Sequence, residues 1–565
     1  FMKKEWWKES VVYQIYPKSF MDSDNDGMGD IRGIINKLDY LKELGINIIW
    51  ICPIYKSPMD DGGYDISDYY TIDEMFGDNA DFEELLERAQ ALGIKVLMDL
   101  VVNHTSDEHS WFEKALKNPL SKYRDYYIFR EGAEGQPPNN WRSYFGDSAW
   151  EPVPGEENMY YLHAFTKKQP DLNWENQEVR EEIYAMINYW LEKGLGGFRI
   201  DAILNIKKRI ETGHFTPDGE DGLTFIGHWI LNQPGIETWL KELNDRTFKM
   251  HNSVTVAEAA VPNERLKEYI GPEGFFSMVF DFSYTDIDVP ETGEWFKSSN
   301  WTWDQMRENI FINQLVTQDN GWGALYLENH DQPRSVNKYI PEKDINDTSK
   351  KMLATLFMML RGTPFIYQGQ ELGMTNIKME TLEDYDDIAT HDQYHRAILA
   401  GFTDEEAFSA VNRRSRDNSR TPMQWDDSKN AGFSLAEKTW LKVNPNYTEI
   451  NAGKEKNNPL SLLNYYKQLI ELRKDSIYKD VIVYGRFVPV KEANTNVIIY
   501  ERILDHKRIL VGINFTDEKQ AVSLDPDYNK FVIGNYTQSN IITEEIHYLQ
   551  PYESVVLANY EGELK

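Results

Sequence analysis

Residues 196–202 read GGFRIDA, an apolar run that ends next to an acidic residue. Two further runs, SVTVAEA at 253–259 and YLENHDQ at 326–332, have the same form. Each apolar part is typical of a buried strand, and each carboxylate lies at the end of that strand or just past it. The three carboxylates are those of Asp201, Glu258 and Asp331. In an eight-stranded barrel the carboxyl ends of the strands meet at one face, so we expect these side chains to meet there.

Apolar runs of this kind alternate along the chain with amphipathic segments of helical periodicity, such as 82–93 and 179–194. Strands that alternate with helices at this spacing predict βαβ units and a parallel sheet. Eight such repeats favour closure into a (β/α)8 TIM barrel, which is an α/β fold. The eight predicted strands are 11–17, 48–55, 95–102, 197–201, 253–259, 275–282, 324–330 and 363–370.

Two stretches depart from this alternation. Residues 104–174 follow the third strand, are rich in Asn, Pro, Gly and aromatic residues, and are too long for a simple connection. They predict an inserted subdomain over the barrel mouth. From about residue 480, short alternating runs predict a C-terminal all-β domain, a β-sandwich. The expected units are the barrel (1–103 and 175–479), the inserted subdomain (104–174) and the β domain (480–565).

The composition narrows the class of protein. The 565 residues carry a formal net charge of −32, which argues against nucleic acid and anionic membranes as partners. No apolar run reaches the ~18 residues of a membrane-spanning helix, and the first residues show no apolar signal core, so we expect a cytoplasmic protein. The single cysteine, Cys52, excludes an internal disulfide and reads as a buried structural thiol. Motifs for an organic cofactor are absent from the sequence.

Three carboxylates at one face favour a glycosidase, because breaking a glycosidic bond needs a proton donor together with a nucleophile or a base. Arg199 precedes Asp201 by two residues and so points to the same side of the strand, where its guanidinium would keep the carboxylate ionised. Glu258 lies in an apolar setting that would raise its pKa and suit it to proton donation. The alternative is that Asp201 and Asp331 are only structural ion-pair partners; the position of all three acids at strand ends argues against it.

Over essentially its whole length the sequence resembles glycoside hydrolase family 13, the α-amylase family. DLVVNH (99–104), GFRIDA (197–202), VAEA (256–259) and ENHD (328–331) match the four signature regions of that family in order, and QPDLN (169–173) looks like a fifth. The opening EWWKESVVYQIYPKSF and the segments GGYDISDY and RDNSRTPMQW are similar to the oligo-1,6-glucosidase and α-glucosidase subgroup.

The resemblance implies a retaining mechanism. In that mechanism Asp201 is the nucleophile, Glu258 is the general acid and then the base, and Asp331 grips sugar hydroxyls and stabilises the oxocarbenium-like transition state. Other residues at matching positions would surround the reacting sugar. These are Asp99, His104, Arg199 and His330.

The resemblance also bears on which substrates fit. Asp61, Tyr64 and Arg416 look like the residues that hold the non-reducing-end glucose, which would make the enzyme exo-acting on short oligosaccharides. Phe145 is a candidate for stacking on a sugar, with simple packing as the alternative. Ala202 follows the nucleophile, where strict α-1,6 members usually carry Val; such a small difference is worth only ~1–3 kcal/mol of discrimination. We therefore expect hydrolysis of terminal α-1,4 and/or α-1,6 bonds.

Residues 22–30 read DSDNDGMGD, which alternates oxygen-bearing side chains and places Gly27 at a sharp turn. This is the pattern of the first part of a calcium loop, although Gly33 stands where a full EF-hand would carry a glutamate. The alternative is a solvated acidic turn. Similar loops in the resembling subgroup bind Ca²⁺, which implies a structural ion here. The implied ligands are Asp22, Asp24, Asp26, Asp30 and the carbonyl group of Met28.

Three other functions remain as alternatives on this scaffold. Sucrose isomerases share much of the framework, but their arginine-rich loop is not seen between Phe282 and Trp301. A transglycosylase differs only in whether water or a sugar attacks the intermediate. Non-catalytic heavy chains of amino-acid transporters share the architecture, but they need a membrane anchor and can lose the carboxylates that this chain keeps. We expect a small oligosaccharide as the partner; a monomer is favoured and the oligomeric state stays open.

Overall fold

The computed structural model describes residues 3–537 and 546–562. Eight parallel strands form a closed barrel in which each strand pairs with its neighbours in chain order and the eighth pairs with the first. The strands are β1 (Val12–Ile15), β2 (Ile48–Ile51), β3 (Lys95–Val101), β4 (Gly197–Asp201), β5 (Val254–Ala257), β6 (Met278–Phe280), β7 (Gly323–Tyr326) and β8 (Thr363–Tyr367). The predicted (β/α)8 TIM barrel is therefore confirmed.

Both faces of the barrel strands are buried, which explains why the sequence shows continuous apolar runs in place of alternation. Residues such as Trp50, Val256 and Phe365 pack inside the barrel, whereas their neighbours Ile49 and Ile366 pack in the larger apolar core of the chain. The observed strands are shorter than most of the predicted ones, because burial continues past the last paired residue under the loops.

Helices of mixed length connect the strands, and several begin at strong side-chain caps. The helix Asn79–Ala91 begins at a capping box formed by Asp78 and Asp81, and Trp303–Asn320 begins at one formed by Thr302 and Gln305. Among the described residues, no helix combines the length and the apolar character needed to cross a bilayer. The other α-helices are Ile31–Asn36, Leu38–Leu44, Ser110–Lys117, Gln177–Glu192, Gly227–Ile230, Ile236–Arg246, Leu266–Ile270, Ser335–Tyr339, Asp347–Met358, Ile388–Leu399, Asp404–Arg414, Ala452–Lys456, Leu462–Lys474 and Lys479–Tyr484.

The long segment after β3 forms a small antiparallel sheet from Phe129–Glu131, Trp150–Pro152 and Met159–Leu162, as expected for an inserted subdomain. A second short strand there, Trp141–Arg142, pairs with Thr224–Phe225 from the loop after β4. Two further side-chain pairs join the same loops. They are Arg142 with Asp221 (2.7 Å) and Arg142 with Asp218 (2.6 Å). The loop after β4 therefore packs with the inserted subdomain over the barrel mouth, a contact that was not predicted from the sequence.

The C-terminal part is an all-β domain, as predicted. It packs on the barrel helix Asp347–Met358, whose Leu356 carbonyl accepts a hydrogen bond from the Tyr500 hydroxyl (2.9 Å). Its predicted range, 480–565, begins within a helix and includes 538–545 and 563–565, which lie outside the described residues. A five-stranded antiparallel sheet comprises Arg486–Pro489, Val497–Leu504, Lys507–Asn514, Ser554–Ala558 and Lys530–Gly534, and Gln520–Ser523 pairs with Ile546–Leu549.

Candidate active site

A cavity of about 290 Å³ opens at the carboxyl-terminal face of the barrel, beneath the inserted subdomain. Two of the predicted site residues, Asp99 and Ala202, are buried and are not among the described residues that line it. The other predicted catalytic and sugar-binding residues all line the cavity. They are Asp61, Tyr64, His104, Phe145, Arg199, Asp201, Glu258, His330, Asp331 and Arg416.

One guanidinium group organises the floor of the cavity. The Arg199 side chain, only 2% exposed, donates through Nη1 to Asp201 Oδ1 (2.8 Å) and to Asp99 Oδ1 (2.9 Å). Its Nη2 donates to Glu258 Oε2. Because neighbouring strands β3, β4 and β5 deliver these groups in register, one buried arginine holds three carboxylates in place. Charge-assisted hydrogen bonds of this kind are among the strongest in proteins.

Glu258 follows β5 and has 31% of its side chain exposed to the cavity. Burial raises the pKa of Glu258 well above its usual range. The Arg199 guanidinium opposes this shift, whereas the negative charges of Asp201 and Asp331 reinforce it. The net effect keeps Glu258 protonated over a wider pH range, which is what a proton donor to a leaving oxygen needs.

Asp99 lies on β3 at the base of the site and is fully buried. Besides Arg199, it accepts hydrogen bonds from Trp50 Nε1 (3.1 Å) and from the Tyr64 hydroxyl (2.8 Å). Burial raises its pKa to about 6 in spite of the adjacent arginine. Asp99 therefore orients Arg199 and Tyr64 from below and does not face the cavity.

Asp331 follows β7 and lines the same cavity as Glu258. The His330 ring stacks on Tyr64 (5.1 Å between centroids), and burial lowers the pKa of His330 to about 3, so the ring is neutral. Gln14 Nε2 lies 2.8 Å from His330 Nδ1 and donates to it, so the ring proton of the neutral histidine is on His330 Nε2. His330 Nε2–H therefore donates to Asp331 Oδ2 (3.2 Å).

The charge of Asp331 is held by arginines that follow β8. Nη1 of Arg416 and Nη2 of Arg420 each lie 3.2 Å from Asp331 Oδ1. Burial alone would raise the pKa of Asp331. The His330 ring and the guanidinium groups of Arg416 and Arg420 outweigh that effect and lower the pKa below the usual range of an aspartate. Asp331 is therefore a fixed anion.

Arg416 closes one end of the cavity. Its Nη2 lies 3.1 Å from Asp61 Oδ1 and 2.7 Å from Asp387 Oδ1, and its guanidinium carbon lies 5.3 Å from the centre of the Phe145 ring. Gln169 donates to Asp61 Oδ2 (3.2 Å) from the inserted subdomain. The ion pairs span loops far apart in the chain and leave a blind pocket.

Ala202 adopts a left-handed backbone conformation (φ 42°, ψ 36°) directly after Asp201. A residue other than glycine rarely adopts this conformation, and it often marks a functional turn. Here the turn ends β4 and starts the short helix Ile203–Asn205. Asp201 lines the cavity, whereas the Ala202 side chain lies outside the lining.

Sequence reasoning missed several residues of the site. Asp387, Arg420 and Asp286 hold or line the cavity, but they lie in loops without a strand signal in the sequence. Of these, Arg420 could have been predicted from the sequence, because it lies in the segment RDNSRTPMQW together with Arg416. Among the aromatic residues of the inserted segment, Trp141 and Trp150 are fully buried and serve packing, whereas Phe145 lines the cavity.

The predicted metal loop brings three carboxylates together. Ligand oxygens of Asp22, Asp24 and Asp30 lie within 4.8 Å of one another. Burial and the neighbouring carboxylates raise the pKa of Asp24 to about 6. Asp26 is outside this group, and its Oδ1 accepts the backbone N–H of Met28 (2.9 Å). Three hard oxygen donors crowded in this way fit a divalent cation such as Ca²⁺.

Comparisons with known proteins agree with this geometry. The family model of the α-amylase catalytic domain matches residues 14–485. An oligo-1,6-glucosidase of Bacillus cereus is 46% identical over 98% of this chain and 99% of its own length. Among solved structures, the isomaltulose synthase of Protaminobacter rubrum (38% identity, TM-score 0.93) covers 99% of this chain and 100% of its own. The trehalose-6-phosphate hydrolase of Bacillus licheniformis (41% identity, TM-score 0.89) covers 98% of this chain and 100% of its own. The chain belongs to the α-amylase family.

Proposed function

We propose that this protein is a retaining, exo-acting α-glucosidase that removes glucose from the non-reducing end of short oligosaccharides with α-1,4 and α-1,6 bonds. One observation carries the proposal: Arg199 binds both Asp201 and Glu258 at the floor of a pocket that Arg416 closes at one end. A relative that matches nearly the whole chain is named an oligo-1,6-glucosidase, which supports the same reaction. The lone thiol of Cys52 is buried and free, and we place the enzyme in the cytoplasm.

In the first half-reaction the Asp201 carboxylate attacks the anomeric carbon of the terminal glucose. The bond between that carbon and the glycosidic oxygen breaks, and its electron pair goes to the oxygen, which takes the proton of Glu258. Because its pKa is raised, the Glu258 side chain still carries that proton near neutral pH. The anionic Asp331 binds sugar hydroxyls and stabilises positive charge on the ring.

In the second half-reaction water enters where the leaving sugar stood. The Glu258 carboxylate takes a proton from the water, whose oxygen bonds to the anomeric carbon while Asp201 departs. Two inversions at that carbon restore the α configuration, so the reaction retains its stereochemistry. A sugar in place of the water would give transglycosylation at the same site.

The end of the cavity that Asp61 and Arg416 close, here called the blind end, favours the removal of single glucose units. Asp61 and Arg416 meet across the pocket, so a chain cannot continue beyond the glucose that occupies it. His104 lines the same end, and its Nε2 lies 3.0 Å from the carbonyl oxygen of Tyr64. Charged groups paired around a blind pocket favour a terminal sugar with free hydroxyl groups, because each hydroxyl can bind a fixed donor or acceptor.

A product profile tests this function. Purified protein is expected to release glucose from maltose and isomaltose, with α-glucose as the first anomer seen by NMR. From maltotriose with a reduced end, glucose and maltitol are expected as the first products, because attack starts at the non-reducing end. Release of β-glucose would exclude the retaining mechanism. Conversion of sucrose into a new disaccharide as the main reaction would favour an isomerase instead; one structural relative is named an isomaltulose synthase.

We further propose that a structural Ca²⁺ ion is held by Asp22, Asp24 and Asp30, with Asp26 and the Met28 carbonyl as additional ligands of the same loop. The loop carries its own scaffold: Gly27 N–H donates to Asp22 Oδ2 (2.8 Å), and Asp30 caps the helix Ile31–Asn36 through Gly33 N–H (2.7 Å). The ion would neutralise the crowded carboxylates. None of these residues lines the cavity, so the proposed ion has a structural role and takes no part in the reaction.

Removing calcium is expected to lower the melting temperature by a few degrees. A ligand at a hundred times its Kd contributes ~2.7 kcal/mol to folding stability. Because the folded-state pKa of Asp24 is raised to about 6, the metal-free loop is destabilised as the pH rises through that value, so the effect of chelator should be larger at pH 7.5 than at pH 5. Differential scanning fluorimetry with chelator and with added Ca²⁺ measures this. Asp24→Asn should abolish the response, and equal melting curves with and without chelator would contradict the site.

A further inference from the structure

The loop after β6 lines the cavity next to the strand that precedes Glu258, and in the proposed mechanism this is the side that receives the leaving sugar. Glu258, which protonates the leaving oxygen in the proposed mechanism, follows β5, and β6 is the next strand of the barrel. The blind end is built on the other side, by Asp61 after β2 and Arg416 after β8. The described residues of the β6 loop that line the cavity are Phe282, Asp286, Val289, Gly293 and Trp295.

Asp286 is the charged residue of this loop that faces the cavity, and its side chain is 46% exposed. Its Oδ1 accepts hydrogen bonds from Gln332 Nε2 (2.6 Å) and from Arg414 Nη2 (3.4 Å). Among the hydrogen bonds of the described residues, none uses Oδ2. The carboxylate is therefore held by one oxygen and keeps the other free for a ligand.

The support behind Asp286 is rigid. The Lys338 side chain is 1% exposed and donates to Gln332 Oε1 and to the carbonyl oxygen of Thr285. This contact fixes the orientation of the Gln332 amide, so its Nε2 must point at Asp286. Arg414 contacts Asp286 through Nη2 and is anchored by Nη1, which donates to the carbonyl oxygen of Asp331 (3.3 Å). A third nitrogen, Nε, lies 3.3 Å from Asp288 Oδ2; the Asp288 side chain is 16% exposed and lies outside the cavity lining. A carboxylate held in this way is preorganised for binding.

The charge that the cavity presents to a ligand is negative. Its three arginines have side chains only 2% (Arg199), 4% (Arg414) and 8% (Arg416) exposed, and each is paired with carboxylates. The exposed charges are carboxylates, with Asp286 at 46% and Asp331 at 38%. The whole chain, at −32, adds to this field.

We propose that Asp286 is a specificity-determining residue that binds hydroxyl groups of the leaving sugar through its free carboxylate oxygen and excludes sugars that carry a phosphate group there. The inference rests on the proposed function and adds the substrate class: neutral disaccharides and oligosaccharides. The solved relative named a trehalose-6-phosphate hydrolase shows that phosphorylated substrates occur on this fold. Among the described residues that line the cavity, Arg414 is the cation nearest Asp286, and it is buried and paired with carboxylates, so it is not available to bind a phosphate group.

The test compares two kinds of α-glucoside that differ only in the leaving group: a nitrophenyl glucoside and the preferred disaccharide. A p-nitrophenyl α-glucoside has no sugar hydroxyls on the leaving side, whereas maltose and isomaltose do. For Asp286→Asn, the ratio of kcat/KM for the preferred disaccharide to kcat/KM for the nitrophenyl substrate should fall about tenfold, the effect of losing one hydrogen bond to a charged group. The matched control is Asp288→Asn, which removes a charge from the same loop and the same Arg414 contact without facing the cavity; its ratio should stay at the wild-type value.

A second arm tests the charge. Maltose that carries phosphate on the reducing-end glucose should be at least ~100-fold poorer than maltose for the wild type, and Asp286→Asn should narrow that gap, because one negative charge is removed from beside the phosphate. An unchanged ratio in Asp286→Asn, an equal fall in Asp288→Asn, or efficient cleavage of the phosphorylated substrate by the wild type would overturn the inference. If the wild type hydrolyses neither the nitrophenyl substrate nor the disaccharides, the proposed function itself fails.

Discussion

Asp201→Asn is expected to lower kcat on maltose or isomaltose by ~10⁴-fold or more, because the amide cannot form the covalent bond to the anomeric carbon. Folding should survive. Arg199, which donates to Asp201 (2.8 Å), keeps its contacts with Asp99 (2.9 Å) and Glu258. The change also removes one negative charge from a crowded group of carboxylates, so the loss of an ion pair is partly offset.

Steady-state kinetics and thermal unfolding of the same preparation measure both expectations. Asp288→Asn serves as the control for losing a charged side chain near the cavity, and it should keep near-normal kcat on the nitrophenyl substrate. The smaller variant Asp201→Ala adds a direct test of the role, because azide can occupy the vacated space and attack from the same face to give the β-azide. Turnover of Asp201→Asn near the wild-type rate would remove Asp201 from the mechanism.

Glu258→Gln should reduce kcat/KM for disaccharides by about 10³-fold, within the range that general acid catalysis contributes. The loss should be smaller for the nitrophenyl substrate, whose leaving group needs little protonation. The pH dependence follows from the sign of the shift: burial raises the pKa of Glu258, so the acid form persists to higher pH and activity falls as the pH rises through that pKa. The basic limb of the wild-type profile should therefore be absent in Glu258→Gln.

Profiles of kcat/KM against pH on both substrates decide this prediction. Asp99→Asn is a useful comparison, because the Asp99 side chain is fully buried and its pKa, about 6, would affect the profile only through the residues that it orients, Arg199 and Tyr64. A basic limb that persists unchanged in Glu258→Gln would assign it to another group. Equal losses on the nitrophenyl substrate and on the disaccharides would likewise exclude proton donation to the leaving oxygen.

Much of the fold could be predicted from local patterns. Barrel strands are buried on both faces, so runs such as 95–102 and 197–201 are recognisable without any tertiary information, and each lies over an observed strand. Asp201 and Glu258 could be located for the same reason: each lies at the end of such a run or directly after it. The spacing of Arg199 and Asp201 on one strand likewise implied the hydrogen bond that the structure contains.

Other parts of the site could not be read from the chain, because they depend on contacts between loops. Asp387 meets Arg416 and Asp331 meets Arg420 across segments that have no periodic pattern. The pairing of Trp141–Arg142 with Thr224–Phe225 likewise joins two loops that are distant in the chain and have no periodic pattern.

The sequence by itself determined the barrel and the three carboxylates at its strand ends, because strand periodicity and burial are local properties. Only the tertiary structure decided which end of the pocket is closed and which charged groups line its open side. Those features arise where loops after β2, β6, β7 and β8 meet, and the ion pairs of Arg414 and Arg416 connect residues distant in the chain. The lowered pKa of Asp331 arises from His330, Arg416 and Arg420, which come together only in the folded chain, so no single strand shows it. The raised pKa of Glu258 was predicted from its apolar strand, and the tertiary structure adds the reinforcing charges of Asp201 and Asp331.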